Sequence, residues 1–164
     1  MATPQKITTF LWFAGEQALE AAQFYTSLFP GSSIDNIMRS AVETPGNAQG
    51  SVLLVSFTMA GQRYEALNGR PPHEAVSNAV SLAVSCDDQA EVDRLWEALT
   101  ADGGKPIMCG WLKDKFGFAW QITPKRLIEL MNDADPAVAK RTMQAMMQMV
   151  KIDVATLEAA AAAK

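Results

Sequence analysis

The sequence is poor in the residues that build metal and disulfide sites. Its 164 residues include one histidine, His73, and two cysteines, Cys86 and Cys109. Two cysteines do not make a disulfide framework, and a zinc site needs three or four clustered ligands. These counts predict reduced thiols in or near a core and argue against a structural zinc site.

Long apolar runs and long basic runs are also missing. No apolar stretch approaches the roughly 20 residues that cross a bilayer, and the first nine residues carry no apolar signal-peptide core. The formal net charge is −4, and no basic run is longer than the pair Lys125-Arg126. Because nucleic-acid-binding domains carry a basic face, we expect no binding to nucleic acid. The lack of a membrane-spanning run and of a signal peptide leads us to expect a cytoplasmic protein that does not bind a membrane.

The first half of the chain reads as strand, helix and strands. Residues 7–13 are rich in β-branched and aromatic side chains, which predicts a strand. Residues 16–29 repeat apolar positions at spacings of three and four, which predicts a helix that ends at Pro30-Gly31. Further strands are predicted at 33–40, 51–59 and 62–67, with a hairpin turn at Ala60-Gly61.

The same order returns after a segment rich in turn residues, 68–73. Residues 76–86 predict a strand, and Asp88 with Glu91 has the spacing of a helix capping box. Strands at 105–112 and 118–123 complete this half, and short helices follow, two of them starting at Asp135-Pro136 and Asp153. We therefore predict an α+β fold in one domain, 1–164, with βαβββ halves at about 5–69 and 74–123 and a helical tail, 124–164.

Residues 109–121, with the sequence Cys-Gly-Trp-Leu-Lys-Asp-Lys-Phe-Gly-Phe-Ala-Trp-Gln, resemble a signature of the PhnB-like family. This family carries the label 3-demethylubiquinone-9 3-methyltransferase. Supporting matches lie at 10–13, 24–30, 66–69, 86–89 and 143–146. The resemblance implies the vicinal oxygen chelate fold of glyoxalases and bleomycin-resistance proteins, in which two βαβββ modules form cupped mixed sheets around a cavity, with helices outside.

That superfamily binds a divalent metal through His and Glu residues of the first and last strands of each half. The resemblance puts these positions at Thr8, at Tyr64 or Glu65, at Ser81 and at Gln121. Hydroxyl and amide groups bind such metals poorly, so we expect no metal and no cofactor. The five residues become candidates for lining a pocket that accepts a small organic molecule.

Each candidate also has a purely structural interpretation. Ser81 and Gln121 could hydrogen-bond across a packed sheet without touching a ligand, and Glu65 could be an exposed strand residue. His73 is a weak acid-base candidate because histidine titrates near neutral pH. Cys109, predicted to lie on a strand, is typical of an inert core thiol.

Three classes of function remain open. The first is binding or sequestering a small molecule without a metal. The second is methyl transfer to a quinone-type phenol, as the family label says, although Gly15 alone follows the first strand where the common methyltransferases have a glycine-rich loop. The third is metal-dependent lyase or dioxygenase chemistry, which the ligand count disfavours. Strand alternation puts Ser81, Ala83 and Ser85 on the cavity side, which favours a small, mostly uncharged ligand.

The tail predicts self-association. The helix expected at 138–150 carries Met143, Met146, Met147 and Met149, and a helix with this much apolar surface needs something to cover it. Relatives of the fold often pair chains to complete a cavity. We therefore expect a homodimer.

Overall fold

The computed structural model describes residues 5–71 and 76–163, and its internal contacts divide the chain into two compact units, Met1–Ala75 and Val76–Lys164. The division falls next to the predicted boundary segment, 68–73. His73, the weak acid-base candidate, lies outside the described residues.

The first unit is a four-stranded sheet with one helix packed on it. The strand order is β1-β4-β3-β2, with β1 parallel to β4 and the other pairs antiparallel. The hairpin between β3 and β4 turns at Ala60 and Gly61, whose φ angles of 48° and 82° suit the tight turn of a two-residue hairpin. The elements are β1 (Thr9–Ala14), α1 (Ala18–Leu28), β2 (Ser33–Arg39), β3 (Val52–Met59) and β4 (Gln62–Gly69).

Aromatic rings and one buried amide hold α1 on this sheet. Tyr25 of α1 stacks on Phe57 at 6.3 Å between ring centroids, and Phe57 stacks on Tyr64 at 5.4 Å. Asn68 accepts a hydrogen bond from the Ala18 amide at the start of α1 (2.8 Å) and donates one to the Val52 carbonyl (2.9 Å). The start of the helix is therefore fixed to β4 and β3.

The second unit repeats this arrangement. Its strand order is β5-β8-β7-β6, with β5 parallel to β8. The predicted capping box is confirmed: Asp88 accepts from the Glu91 amide at 2.8 Å, and the Glu91 carboxylate reaches back to the Asp87 amide at 2.7 Å. The elements are β5 (Leu82–Cys86), α2 (Gln89–Thr100), β6 (Lys105–Pro106), β7 (Trp111–Lys113) and β8 (Ala119–Pro124).

The predicted α+β class with two βαβββ halves is confirmed, while two predicted strands need correction. The strand expected at 76–86 begins at Leu82. Val80, within the predicted range, lies outside the strand and is 74% exposed. The strand expected at 105–112 is broken, because Cys109 and Gly110 have φ angles of 61° and 80°. Such left-handed residues cannot continue a strand, so Cys109 lies in a turn.

The tail forms three helices, α3 (Lys125–Met131), α4 (Pro136–Met146) and α5 (Val154–Ala162), around a cluster of Leu127, Leu130, Ile152 and Leu157. Asp135 and Asp153 cap α4 and α5 as predicted, accepting from the Ala137 and Thr156 amides at 2.9 and 2.7 Å. The helix predicted at 138–150 ends at Met146. The alanine run at the end of α5 is helical through Ala162, and Arg141 donates to the Ala160 and Ala161 carbonyls there.

Backbone hydrogen bonds attach this tail to the turn before β7. The amides of Cys109 and Gly110 donate to the carbonyls of Met149 and Val150, both at 2.8 Å. A side chain at Gly110 would bring its Cβ within 2.9 Å of the Ile122 carbonyl oxygen and of Ile152. Glycine is therefore required here both by its positive φ and by the close packing of the tail.

The turn between β7 and β8 is organised by the buried carboxylate of Asp114. One of its oxygens accepts from the amides of Phe116 (2.9 Å) and Phe118 (3.0 Å), and the other accepts from the indole N–H of Trp120 (2.8 Å). Asp114 is 3% exposed and Trp120 is 1% exposed. The same carboxylate therefore shapes the turn and fixes the largest side chain in the core of the second unit.

We predict that Asp114→Asn lowers the free energy of unfolding by about 2 kcal/mol, the cost of an unsatisfied buried donor. An asparagine oxygen can still accept from the two turn amides, but its NH₂ group then faces the Trp120 indole N–H, donor against donor. Urea denaturation measures the change. The control is Glu97→Ala, which removes an exposed carboxylate from α2. Equal stability of the two variants would contradict the role of Asp114.

Candidate functional site

Each sheet has one face covered by its helix and an opposite face, which we call the open face. In the first unit, register pairs place Phe10, Glu65 and Ser56 in one row across the open face, with Trp12 and Leu67 in the next row. Phe10 is 57% exposed and Trp12 is 42% exposed. The open face of the first unit is therefore apolar and aromatic, with one carboxylate at its centre.

The carboxylate of Glu65 is already engaged by neighbouring side chains. One of its oxygens accepts a hydrogen bond from the Ser56 hydroxyl at 2.7 Å. The other lies 3.9 Å from the guanidinium of Arg63. Glu65 is therefore neither a fully solvent-exposed strand residue nor a carboxylate left without partners.

The other two candidates of this unit lie elsewhere. Tyr64 belongs to the helix-covered face, because side chains alternate along β4; it packs on Phe57 and donates its hydroxyl to Gln62 at 3.1 Å. Burial raises the pKa of Tyr64. Thr8 is half-buried and precedes β1. The structure thus places Glu65 on the open face and corrects the expectation that Tyr64 accompanies it there.

In the second unit the structure brings Ser81 and Gln121 together. The Gln121 side-chain amide donates to the Ser81 hydroxyl oxygen at 2.9 Å, and both residues are half-buried. Ala83 pairs with Gln121, and Ser85 pairs with Thr123, on β5 and β8. The predicted set of small and polar residues therefore shares one face of the sheet, and its central members are hydrogen-bonded to each other.

Two residues that the sequence analysis did not assign to the site share this open face. Trp111 pairs with Gln121, and Lys113 pairs with Ala119, which lies two residues before Gln121 on the same face. Lys113 in turn pairs with Lys105 of β6. The signal in the sequence was the alternation Trp111-Leu112-Lys113, in which Leu112 alone is fully buried, but its register against Gln121 required the structure.

The two cysteines differ in position. Cys86 is buried, and burial, followed by the charge of Glu91, raises the pKa of its thiol to about 12. A thiol with so high a pKa stays protonated at neutral pH and packs as a small apolar group. Cys109 lies in the left-handed turn that holds the tail, and its backbone amide is used in that attachment.

The donor set at the positions expected for a metal does not fit a divalent ion. Glu65 is the only carboxylate among them, and it is bonded to Ser56. Ser81 and Gln121 are neutral and bonded to each other. Across residues 5–71 and 76–163, no three His, Cys, Asp or Glu side chains lie close enough to hold an ion. A cluster of the imidazole and carboxylate ligands that such ions prefer is therefore absent from this part of the chain.

Two βαβββ modules, each with its first and last strands parallel and adjacent and one face covered by a helix, define the vicinal oxygen chelate class of fold. A family profile described as 3-demethylubiquinone-9 3-methyltransferase matches residues 5–123, and the chain belongs to this family. The match stops where the tail begins, so the helices α3 to α5 lie beyond the family region.

Solved structures agree with this assignment. The PhnB protein of Bacillus cereus is 38% identical over 73% of this chain and 99% of its own, with a TM-score of 0.66. A Pseudomonas aeruginosa protein is 23% identical over 71% of this chain and 95% of its own, with a TM-score of 0.56, which shows a likeness of fold. Among curated proteins none matches this chain.

One further observation bears on location. None of the helices within the described ranges is long and apolar enough to span a bilayer.

We predict that the purified protein holds no stoichiometric divalent metal, because its expected ligand positions carry hydroxyls, an amide and one engaged carboxylate. Elemental analysis by mass spectrometry after purification without chelators measures this. Zinc, nickel, iron or manganese at one equivalent per chain, lost in Glu65→Gln or Gln121→Leu but kept in the surface variant Gln23→Leu, would show that the positions do bind metal.

Proposed function

We propose that this protein binds a small organic molecule on the open face of the second unit and needs no metal to do so. The observation that carries the proposal is the Ser81–Gln121 pair beside Trp111. Small-molecule sites combine apolar or aromatic walls with a few placed polar groups, and these three residues supply both. Ala83, the register partner of Gln121, and Ala119, two residues before Gln121 on β8, carry only methyl groups on the same face.

Methyl transfer, which the family label names, receives less support from the chain itself. Cofactor-dependent methyltransferases of the common kind place a glycine-rich loop at a helix start after the first strand. Here Gly15 is the single glycine between β1 and α1, and the Ala18 amide at the start of α1 donates to Asn68. The helix start is therefore occupied by the protein's own side chain. Metal-dependent lyase or dioxygenase chemistry is the other alternative, and the donor set does not fit it.

The proposal includes a homodimer in the cytoplasm. Three apolar side chains at the end of α4 and just beyond it are exposed: Met143 by 45%, Met147 by 56% and Val150 by 44%. Met146 and Met149 pack instead against the cluster inside the tail. Exposed apolar groups at spacings of three and four are typical of a surface that another protein covers. The two cysteines, both free, are compatible with a reducing compartment.

Candidate ligands are found by screening small molecules for a shift in the thermal unfolding of the protein. We predict that Ser81→Leu and Gln121→Leu each weaken their binding by about tenfold or more, because each removes a polar contact and replaces it with a bulky apolar side chain. Binding is measured by isothermal titration after circular dichroism has shown that the variants fold. Gln23→Leu on the exposed side of α1 is the matched control. If both variants fold and bind every hit as well as the parent, the site lies elsewhere.

We predict a dimer at micromolar concentration, measured by size-exclusion chromatography with light scattering. Met147→Glu should shift the protein toward the monomer, since burying an unpaired carboxylate is costly. Gln144→Glu places the same charge at a polar position of α4, three residues before Met147, and should leave the dimer intact. A monomeric parent protein would contradict the prediction, and equal effects of the two variants would move the interface away from the methionines.

A further inference from the structure

Two lysines face each other on the open face of the second unit. Lys105 of β6 and Lys113 of β7 are direct register partners, and like charges directly opposite each other destabilise a sheet. Within the described ranges no carboxylate pairs with either ammonium group. The protein therefore maintains a local concentration of positive charge on this face, although its formal net charge is −4.

The polar groups beside this lysine pair are hydrogen-bond donors. Because Ser81 accepts from the Gln121 amide through its oxygen, its own hydroxyl hydrogen is left to donate, and nothing in the described part of the chain accepts it. Lys113 of β7 is the register partner of Ala119 of β8, which lies two residues before Gln121 on the same face. The flexible four-carbon side chain of Lys113 can extend over this small alanine toward Ser81 and Gln121. A group that satisfies Ser81 and Lys113 together must accept hydrogen bonds and carry negative charge.

The row next to the lysines contains apolar side chains beside Gln121. Trp111 lies beside Gln121, and the half-buried Ile107 follows β6 and donates its amide to the Trp111 carbonyl at 2.8 Å. An indole ring next to cationic groups suits a ligand that has both a flat apolar body and a charged end.

We propose that the open face of the second unit binds a small organic oxyanion, with its carboxylate or phosphate between Lys113 and Ser81 and its apolar body against Trp111. Lys105 adds charge next to Lys113 and draws anions toward the site. This inference rests on the proposed function and names the ligand class for the same site. It replaces the mostly uncharged ligand expected from the small polar residues of β5 and β8 alone.

The test compares benzoate, phenyl phosphate, inorganic phosphate and benzamide, which is the neutral counterpart of benzoate. Each is titrated into ¹⁵N-labelled protein while the Trp111 indole and Gln121 side-chain signals are followed by NMR. We expect benzoate or phenyl phosphate to bind about tenfold more tightly than benzamide, with affinity falling as salt rises. The preferred anion distinguishes a carboxylate ligand from a phosphate ligand.

Charge-removing variants give the second arm of the test. Lys113→Gln should weaken binding of the preferred anion by about tenfold, since charged hydrogen bonds are the stronger ones, and Lys105→Gln should weaken it less. Lys140→Gln, which removes the same charge from the exposed side of α4, should leave binding unchanged.

The inference is overturned by equal binding of benzamide and benzoate, by full binding by Lys113→Gln, or by no signal change with either organic anion at millimolar concentration. Binding of inorganic phosphate as tightly as phenyl phosphate would also overturn it, by indicating an adventitious ion only. If Lys113→Gln binds normally while Gln121→Leu does not, the oxyanion ligand class is wrong but the proposed site stands. If Gln121→Leu also binds normally, both the ligand class and the proposed site are wrong.

Discussion

The buried carboxylate of Asp114 is the interaction on which the architecture of the second unit depends. A charged group at 3% exposure is costly unless hydrogen bonds satisfy it. Here two turn amides and the Trp120 indole do so. Fixing Trp120 toward α2 sets the alternation of β8, and that alternation turns Gln121 to the open face. The position of the candidate site is thus a consequence of a core contact that no ligand touches.

The tail supports the same strand pair from its other end. Its carbonyls at Met149 and Val150 accept from the amides of the turn before β7. Gln89 at the start of α2 also binds this segment, donating to the Ile152 carbonyl at 3.0 Å and accepting from the Val154 amide at 2.8 Å. The family match ends before the tail. In this chain, a segment beyond the matched region therefore stabilises the turn that precedes Trp111.

Local sequence patterns predicted the helices and strands well where a residue type at a given spacing has one common structural role. The Asp88–Glu91 capping box and the strand-helix-strands order were confirmed for this reason. The break at Cys109 was missed because a non-glycine residue with a positive φ leaves no mark in the sequence. It is maintained by the tail, a partner distant along the chain. For the candidate site, the resemblance selected Ser81 and Gln121, and their hydrogen bond is the one that the purely structural interpretation expected. The lysine pair depends on the register of β6 and β7. Register between strands is a tertiary property that composition does not carry.

The contact of Arg141 with the last carbonyls of α5 couples the stability of two helices of the tail. α5 has nine residues, most of its second half alanine, and isolated helices of this length are marginal in water. Its C-terminal carbonyls are satisfied by a guanidinium that α4 presents. The stability of α5 therefore depends in part on α4. In hydrogen exchange their amides should open as one cooperative unit, below the free energy of global unfolding.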